Sequence, residues 1–313
     1  MSIDYYIIVN GQVTPMKKIL VTGSDGLIGT NLKPRLLNLG YEIIAYDLKA
    51  DNNICDTKKL EPLVKQCEGV IHLAAVSRVV WGENDPDLCW RTNALASRGL
   101  IGLALKQSPK PWVLLASSRE VYGEQSSLPV LDSTPVNPVN IYGRSKVEME
   151  KAGLSARKLG LAVAIIRFAN VYGSVTDHHD RVLPAFCKAA VLGEPLRVDG
   201  LGNTFDFTHI KDTTEGILKV VERLEGGVID LPPMHLLPGI PTTLENAAKL
   251  AIQASNSTSI IQEAPSRNYD VSRFYGAPHN AKNLLDWDAK ISPQEGIKML
   301  VKEFENNLKE KSS

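Results

Sequence analysis

Short runs of mainly apolar residues alternate with longer helical segments through the first half of the chain. The runs are rich in Val, Ile and Leu and do not alternate with polar residues, which is typical of parallel strands buried on both faces. We predict strands at Ile19–Thr22, Glu42–Tyr46, Val70–Leu73, Trp112–Ala116 and Ala162–Arg167. Helices are predicted between them at Leu27–Leu39, Lys58–Gln66, Leu88–Lys106 and Tyr142–Leu159. This alternation predicts an α/β fold with a Rossmann-type doubly wound parallel sheet.

The regular alternation ends after about residue 170, where turn-rich stretches separate shorter segments. A helix at Thr213–Arg223 and a strand at Val228–Leu231 are predicted to return the chain to the main sheet, and a last helix is predicted at Pro293–Lys309. We therefore predict a Rossmann domain at residues 16–175, to which residues 204–232 return. Residues 176–313 form mainly a smaller, interleaved substrate-binding region. Residues 1–15 are either an upstream extension or an extra edge strand.

Composition narrows the possible functions. The chain has 313 residues, of which 43% are hydrophobic, and a formal net charge of zero. A substantial core can therefore form, and the charge balance argues against a nucleic-acid-binding protein. The four cysteines lack metal-ligand spacing, so we predict reduced thiols and no metal site. No apolar stretch approaches the ~20 residues that span a bilayer, and the N-terminus does not resemble a signal peptide, so we expect a cytoplasmic protein that is not bound to a membrane.

A glycine-rich turn joins the first predicted strand to the first predicted helix. Its glycines form a GxxGxxG pattern in Gly23-Ser24-Asp25-Gly26-Leu27-Ile28-Gly29. Gly23 can take the tight turn, Gly26 lets a pyrophosphate approach the backbone, and Gly29 lets the helix pack close to the strand. The helix N-terminus offers N–H groups and a positive dipole end to the phosphates. The predicted dinucleotide contacts of this turn are Gly23, Asp25, Gly26, Leu27, Ile28 and Gly29.

Further candidate cofactor residues follow the next two strands. Asp47 comes about 20 residues after the glycines, where a carboxylate binds the hydroxyls of the adenosine ribose and repels a 2′-phosphate. NAD is therefore favoured over NADP, although Lys49 weakens the exclusion of NADP slightly. Asp56 can either reach the adenine amino group or cap the following helix. The small residues of Leu73-Ala74-Ala75 either let the backbone approach a flat cofactor or pack tightly in the core.

A candidate catalytic pair opens the helix at Tyr142. Tyr142 and Lys146 are four residues apart, so they share one helical face, and the lysine charge can lower the pKa of the phenol from its reference value of ~10. Such a tyrosine can exchange a proton with a sugar hydroxyl. Ser118 follows the strand Trp112–Ala116, at the sheet edge where open α/β sheets bind ligands, and can hydrogen-bond the same oxygen.

These motifs together resemble the extended short-chain dehydrogenase/reductase family, which contains nucleotide-sugar epimerases and dehydratases. The resemblance extends over about Lys17 to Lys302. It is carried by Gly23-x-x-Gly26-x-x-Gly29, Leu73-Ala74-Ala75, Ser117-Ser118-x-x-Val121-Tyr122-Gly123, Tyr142-x-x-x-Lys146 and Arg167-Phe168-x-Asn170-Val171-Tyr172-Gly173.

The resemblance implies roles for individual residues. Tyr142 would be the base that removes a sugar hydroxyl proton during hydride transfer to NAD, Lys146 would hold the nicotinamide ribose, and Ser118 would orient the reacting oxygen. Asn93 would lie near the cofactor. The resemblance implies that the substrate is a nucleotide-diphosphate sugar. It also implies a homodimer that forms through the helices Leu88–Lys106 and Tyr142–Leu159. The implied contacts of the nucleotide are Asn170, Leu183, Leu196, Val198 and Arg267.

Two positions depart from the family pattern. Phe205 stands where the family often has an arginine for the diphosphate, so that phosphate contact is missing or relocated. Arg119-Glu120 stands where 4,6-dehydratases usually have Asp-Glu and some decarboxylases have Ser-Glu. Arg119 could bind a substrate carboxylate or phosphate, or it could pair with Glu120.

Four functions are compatible with these residues. An NAD-dependent nucleotide-sugar epimerase that oxidises C4 transiently is favoured, because Arg119 replaces the usual acid. A 4,6-dehydratase or a decarboxylase that uses catalytic Glu120 is the alternative. A net reductase is a third, and a catalytically silent sensor of NAD or a sugar nucleotide belongs to another class. The sequence identifies neither the sugar nor its nucleotide.

Overall fold

The computed structural model describes residues 6–9, 12–266 and 271–312. The chain divides into two compact units that draw on alternating segments of the sequence. The first unit comprises Met1–Ser117, Ile141–Ile166 and Ile217–Pro233. The second unit comprises Ser118–Asn140, Arg167–Gly216 and Met234–Ser313.

The regular elements are numbered here in chain order. The strands are β1 (Tyr6–Val9), β2 (Gln12–Pro15), β3 (Lys18–Thr22), β4 (Glu42–Tyr46), β5 (Gly69–His72), β6 (Trp112–Ser118), β7 (Val130–Leu131), β8 (Val163–Phe168), β9 (Asn170–Tyr172), β10 (Leu196–Asp199), β11 (Thr204–Phe205), β12 (Phe207–His209), β13 (Met234–Leu236), β14 (Thr242–Thr243), β15 (Ile261–Ala264) and β16 (Gly276–Ala277). The helices are α1 (Leu27–Asn38), α2 (Thr57–Lys65), α3 (Val79–Asn84), α4 (Pro86–Trp90), α5 (Ala96–Leu105), α6 (Ile141–Lys158), α7 (Val182–Leu192), α8 (Ile210–Glu225), α9 (Leu244–Ala254), α10 (His279–Leu285) and α11 (Pro293–Ser312).

The central parallel sheet has the strand order β13-β8-β6-β5-β3-β4 among the described residues. β3 pairs in parallel with β4 on one side and with β5 on the other, so that Ile19 lies opposite both Ile43 and Gly69. The chain order therefore reverses at β3, which is the topological switch point of a doubly wound sheet. Because ligands bind outside the carboxyl ends of strands at such a point, the glycine turn after β3 lies where a dinucleotide is expected. The predicted fold class is confirmed.

The core of the first unit explains why continuous apolar runs predicted these strands. Leu20, Val70, Val113 and Ile165 have almost no solvent-exposed surface and belong to one hydrophobic cluster. Side chains of α2, α5 and α6, including Leu60, Leu100 and Met149, complete that cluster. A strand that is covered in this way needs apolar residues at successive positions rather than alternate ones.

Two sequence predictions differ from the structure. The helix predicted at Leu88–Lys106 is interrupted by a turn of π-helix at Arg91–Leu95 between α4 and α5. The strand predicted at Val228–Leu231 is wrong, because that stretch has no regular structure and the strand is β13, Met234–Leu236. Two prolines, Pro232 and Pro233, separate the stretch from β13, and a proline has no N–H to donate to a ladder.

The second unit has its own core. The helices α7, α9 and α11 enclose a hydrophobic cluster that includes Phe186, Leu244 and Ile297. Short strand pairs lie beside it: β10 with β15 and β9 with β12 are parallel, and β11 with β14 is antiparallel. The predicted last helix is confirmed as α11. In the residues of both units that the structure describes, no helix is both long enough and apolar enough to cross a bilayer.

Near the N-terminus, β1 and β2 pair antiparallel as a two-stranded hairpin, with Tyr6 opposite Pro15. The sequence left open whether residues 1–15 add an edge strand to the central sheet. The part of this segment that the structure describes does not add one.

Candidate cofactor and catalytic site

The glycine turn after β3 has the backbone geometry that its sequence pattern predicts. Gly23 has a φ of +69°, and a Cβ atom there would lie 2.6 Å from the Ala74 nitrogen. A Cβ on Gly29 would lie 2.6 Å from the Gly23 carbonyl oxygen. Side chains are therefore excluded at both positions, because the turn is tight and α1 starts close against it.

The N-terminus of α1 is open toward a ligand. Gly26 is the N-cap residue and makes no side-chain capping hydrogen bond among the described residues, so the first N–H groups of α1 receive no side-chain acceptor. A Cβ atom on Gly26 would contact only the Gly23 oxygen, at 3.4 Å. Bare N–H groups at a helix N-terminus bind phosphate, so this turn fits the pyrophosphate of a dinucleotide.

Asp47 lies in the same corner of the first unit. Its Oδ2 atom accepts the backbone N–H of Asp25 at 2.9 Å, and its Oδ1 atom accepts the N–H of Lys49 at 2.9 Å. The Gly23 N–H also donates to the Tyr46 carbonyl oxygen at 2.8 Å. These hydrogen bonds fix the half-exposed Asp47 carboxylate beside the glycine turn. Binding of the adenosine ribose by Asp47 stays a prediction.

The other candidate cofactor residues have defined structural partners. Asp56 is the N-cap of α2, and its Oδ1 atom accepts the N–H groups of Lys58 and Lys59 at 3.2 Å each. Leu73, Ala74 and Ala75 follow β5 and are only partly buried. Asp56 therefore has the capping role that was the alternative to adenine binding, whereas the backbone of Leu73 and Ala74 packs closely against Gly23 and Thr22.

Asn93 lies in the π turn between α4 and α5 and is fully buried. Its Oδ1 atom accepts the Val76 N–H at 2.8 Å, and its Nδ2 atom donates to the Val76 carbonyl oxygen at 3.0 Å and to Ser145 Oγ at 3.1 Å. Asn93 thus holds the segment after β5 and the first turn of α6 together. Its proximity to the cofactor remains a prediction.

The catalytic pair lies on α6, as the spacing predicted. Lys146 Nζ is 5.8 Å from the centroid of the Tyr142 ring and donates a hydrogen bond to the Ala116 carbonyl oxygen at 2.8 Å. One turn further along the same face, Glu150 Oε1 accepts the Ser117 hydroxyl at 2.5 Å. Tyr142 is partly exposed, whereas Lys146 and Glu150 are buried.

Burial of Lys146 affects its proton affinity. Desolvation is the main cause and lowers the pKa of Lys146 to about 8, while Cys89 and Glu150 oppose the shift. Burial has this effect because a low-dielectric environment disfavours the charged form of an amine. With this lowered pKa, Lys146 carries a positive charge near Tyr142 at neutral pH and is deprotonated in moderately alkaline solution.

In the second unit, a short 3-10 turn at Arg119–Val121 follows β6. Ser118 is its N-cap residue, and Ser118 Oγ accepts the Glu120 N–H at 3.2 Å. Arg119 and Glu120 are only 8% and 3% exposed. A carboxylate and a guanidinium this deeply buried are expected to satisfy each other.

Both oxygens of Glu120 are occupied. Its Oε1 atom lies 2.9 Å from Arg119 Nη2, and its Oε2 atom accepts Nδ2 of Asn140 at 2.8 Å. Of the two alternatives that the sequence left open for Arg119, the structure shows the pairing with Glu120. Asn140 was not identified from the sequence, because nothing in its local pattern reports a contact 20 residues away.

Phe205, the second departure from the family pattern, also contacts Arg119. The guanidinium carbon of Arg119 lies 4.7 Å from the Phe205 ring centroid and 5.6 Å from the Phe274 ring centroid. Cations are attracted to aromatic faces at such distances. The Arg119 guanidinium is therefore held against the Phe205 ring as well as by Glu120.

The sequence analysis also did not predict a buried polar network around Tyr122, the residue that follows this turn. Arg167 Nη1 donates to the Tyr122 hydroxyl at 2.7 Å, and that hydroxyl is 2.7 Å from His235 Nε2. The backbone N–H of His235 donates to Asp132 Oδ1 at 2.7 Å. Tyr122 and Arg167 belong to motifs that carried the family resemblance, but His235 and Asp132 lie in segments without a sequence signal. The network fixes the residue that directly follows Arg119–Val121.

The candidate nucleotide contacts differ in accessibility. Asn170 begins β9 and is partly exposed, whereas the side chains of Leu183, Leu196 and Val198 are buried in the core of the second unit. Contacts of these three residues with a nucleotide would therefore have to involve the main chain. Arg267 lies outside the described residues.

A doubly wound sheet with a bare helix N-terminus at its switch point, and a tyrosine and lysine on one helical face beside it, defines a dinucleotide-dependent enzyme of the Rossmann class. The chain belongs to the NAD dependent epimerase/dehydratase family, whose sequence model matches residues 19–231. The family resemblance, NAD as cofactor and an enzymatic role are confirmed by this match.

Relatives of this chain include several sugar-nucleotide enzymes. The chain is 26% identical to UDP-glucuronic acid decarboxylase 6 of Arabidopsis thaliana, over 93% of this chain and 90% of the relative. It is 28% identical to a putative UDP-glucose 4-epimerase of Methanocaldococcus jannaschii, over 92% of this chain and 99% of the relative. The solved structure of UDP-glucose 4-epimerase from Thermotoga maritima with UDP-glucose is 26% identical and superposes with a TM-score of 0.86, over 93% and 99% of the two chains.

Proposed function

We propose that the chain is an NAD-dependent nucleotide-sugar epimerase that inverts C4 of the sugar by transient oxidation. We favour an epimerase because both carboxylate oxygens of Glu120 are bound by neighbouring side chains. Arg119 and Asn140 each bind one of its carboxylate oxygens. An acid or base for elimination of water must exchange protons with the substrate, and a buried carboxylate with both oxygens bound is poorly suited to that task. Tyr142 and Lys146, by contrast, lie together on α6, as proton exchange with a sugar hydroxyl requires.

The residues of the chain have separate tasks in this reaction. Tyr142 accepts the proton of the C4 hydroxyl and returns it when the hydroxyl is restored on the other face. Lys146 stabilises the phenolate by its charge, and Ser118 orients the C4 oxygen. Asp47 and the N-terminus of α1 would hold NAD at the glycine turn, and the cofactor would supply a reversible hydride acceptor for C4. The reaction has no net redox change, so the cofactor need not dissociate.

A nucleotide-diphosphate sugar is the proposed substrate class. The similar proteins named above act on UDP-sugars according to their names, and this supports the proposal. A decarboxylase is the second candidate, because several similar proteins are UDP-glucuronic acid decarboxylases and because Glu120 itself is present. The nucleotide and the sugar remain to be identified.

The reaction class is tested by incubating the purified protein with UDP-, GDP-, CDP- and dTDP-sugars, including uronic acids, and by reading the products by NMR and mass spectrometry. We expect a product of unchanged mass whose C4 configuration is inverted. Loss of carbon dioxide would establish the decarboxylase, and loss of water would establish a dehydratase. A protein that binds these ligands but converts none of them would be the silent sensor.

We also propose a homodimer that forms through α5 and α6. A surface groove between these helices has an apolar floor that includes Ile101, Leu105 and Ala152, and charged residues at its rim that include Arg98, Glu148 and Lys151. Because a two-fold interface brings the same patch together from both copies, a rim with charges of both signs can complement itself.

A location in the cytoplasm is also proposed. The four cysteines form no disulfide, which is compatible with that location.

A further inference from the structure

Asp25 is a second acidic residue at the glycine turn, and its main chain contacts Asp47. The backbone N–H of Asp25 donates to Asp47 Oδ2 at 2.9 Å. Asp25 lies directly before Gly26, the N-cap residue of α1, so its side chain emerges at the edge of the proposed pyrophosphate site. The side chain is partly exposed and is not needed to form the turn itself.

Two lysines converge on Asp25 from different elements. Lys33 of α1 places its Nζ atom 2.6 Å from Asp25 Oδ1. Lys49, in the 3-10 turn after β4, donates from Nζ to the Asp25 carbonyl oxygen at 2.8 Å. The Lys33 hydrogen bond holds the pKa of the Asp25 carboxyl below its usual range, so this group is ionised at neutral pH. The Asp25 carboxylate is therefore paired with Lys33, whereas Lys49 is held by the main chain of the same residue.

We propose that Asp25 is a second determinant of the preference for NAD over NADP, because its carboxylate engages Lys33 beside Asp47. The proposal rests on the assignment of Asp47 to the adenosine ribose. NADP differs from NAD by a 2′-phosphate, a dianionic group at neutral pH for which lysines are common ligands. The Asp25 carboxylate competes with that phosphate for the Lys33 ammonium group and adds a repulsive charge of its own. Without this carboxylate, Lys33 would be left to attract the phosphate.

Replacement of Asp25 by serine tests the proposal, since serine keeps the backbone N–H that binds Asp47. NAD and NADP are titrated separately against the full-length protein freed of nucleotide, and binding is followed by calorimetry. We expect NADP to bind about two- to fivefold more tightly to Asp25→Ser than to the wild type, as one partly exposed charge interaction allows. The readout is the ratio of the NADP and NAD affinities, and an unchanged thermal unfolding midpoint shows that the variant is folded.

The double variant Asp25→Ser/Lys33→Gln is the matched control. It should lose most of the gain in NADP affinity, because the phosphate then lacks the released ammonium group. The gain should also shrink as salt is raised, since exposed charges are screened over about 10 Å at 0.1 M. An unchanged ratio of NADP to NAD affinity in Asp25→Ser, or an equal weakening of both, would overturn the proposal.

Asp47→Ala separates this proposal from the ribose assignment on which it rests. We expect this variant to weaken NAD binding. If NAD binds equally well to Asp47→Ala and to the wild type, the ribose assignment is wrong and the proposal falls with it. If Asp47→Ala weakens NAD but Asp25→Ser leaves the cofactor ratio unchanged, only the role of Asp25 is refuted.

Discussion

At the scale of single residues, Lys146 shows how burial produces a functional property. Its ammonium group lies in a low-dielectric environment and is held by one carbonyl oxygen, that of Ala116. Burial lowers the pKa of Lys146 to about 8, whereas the reference value is 10.5. Protonated Lys146 therefore destabilises the native protein. At pH values between about 8 and 10.5, the unfolded chain still binds a proton that the native protein has lost. Stability contributed by this group thus rises with pH in that window.

Activity should follow the opposite trend. We predict that kcat/KM falls above a pH of about 8, because deprotonated Lys146 no longer stabilises the Tyr142 phenolate. A pH profile of kcat/KM measures this limb in the free enzyme. In Lys146→Arg the guanidinium stays charged, so the remaining activity should lack the limb. A limb at the same pH in both proteins would assign the titration to another group.

At the scale of elements, continuous apolar runs were sufficient to predict the central strands, because strands such as β5 and β6 are buried along their whole length. The π turn could not be predicted, since one altered turn leaves the helical pattern of apolar residues nearly unchanged. Likewise, motifs placed Glu120, Tyr142 and Lys146 on the correct elements. The contact of Glu120 with Asn140 depends on how a loop folds back, and no local pattern encodes that.

The π turn allows a prediction about stability. Asn93→Ala should lower the free energy of unfolding by about 1–3 kcal/mol. The reason is that the partly buried N–H and carbonyl groups of Val76 lose their side-chain partner. Urea unfolding followed by circular dichroism measures the loss. Gln107→Ala is the control, because its amide bonds only the Leu103 carbonyl one turn earlier, near the end of α5. Equal stabilities of the two variants would contradict the bridging role of Asn93.

At the scale of the whole molecule, the proposed dimer makes a prediction about Leu159. This residue borders the groove between α5 and α6 and is 66% exposed. Leu159→Glu should raise the dimer dissociation constant by at least about tenfold, because two copies of the new charge would meet in an apolar contact. Light scattering over a range of micromolar concentrations gives the mass.

Leu39→Glu is the matched control for the dimer, since Leu39 is also exposed (60%) but follows α1. This variant should have the same mass as the wild type. A wild-type protein that is monomeric at micromolar concentration, or an equal response of both variants, would show that the groove is not the interface.

The central claim is that Glu120 has a structural role and that the enzyme is an epimerase. It is tested most directly by Glu120→Gln, with absorbance of reduced nicotinamide and product NMR recorded on the same sample. Tyr142→Phe is the reference for lost chemistry and should reduce turnover by ~10²–10⁴-fold without accumulating reduced cofactor. We predict that Glu120→Gln retains most of its epimerase turnover and shows no accumulation of bound NADH. A variant that oxidises the sugar once and then stalls with NADH bound would contradict the claim and identify Glu120 as the acid or base of a later step.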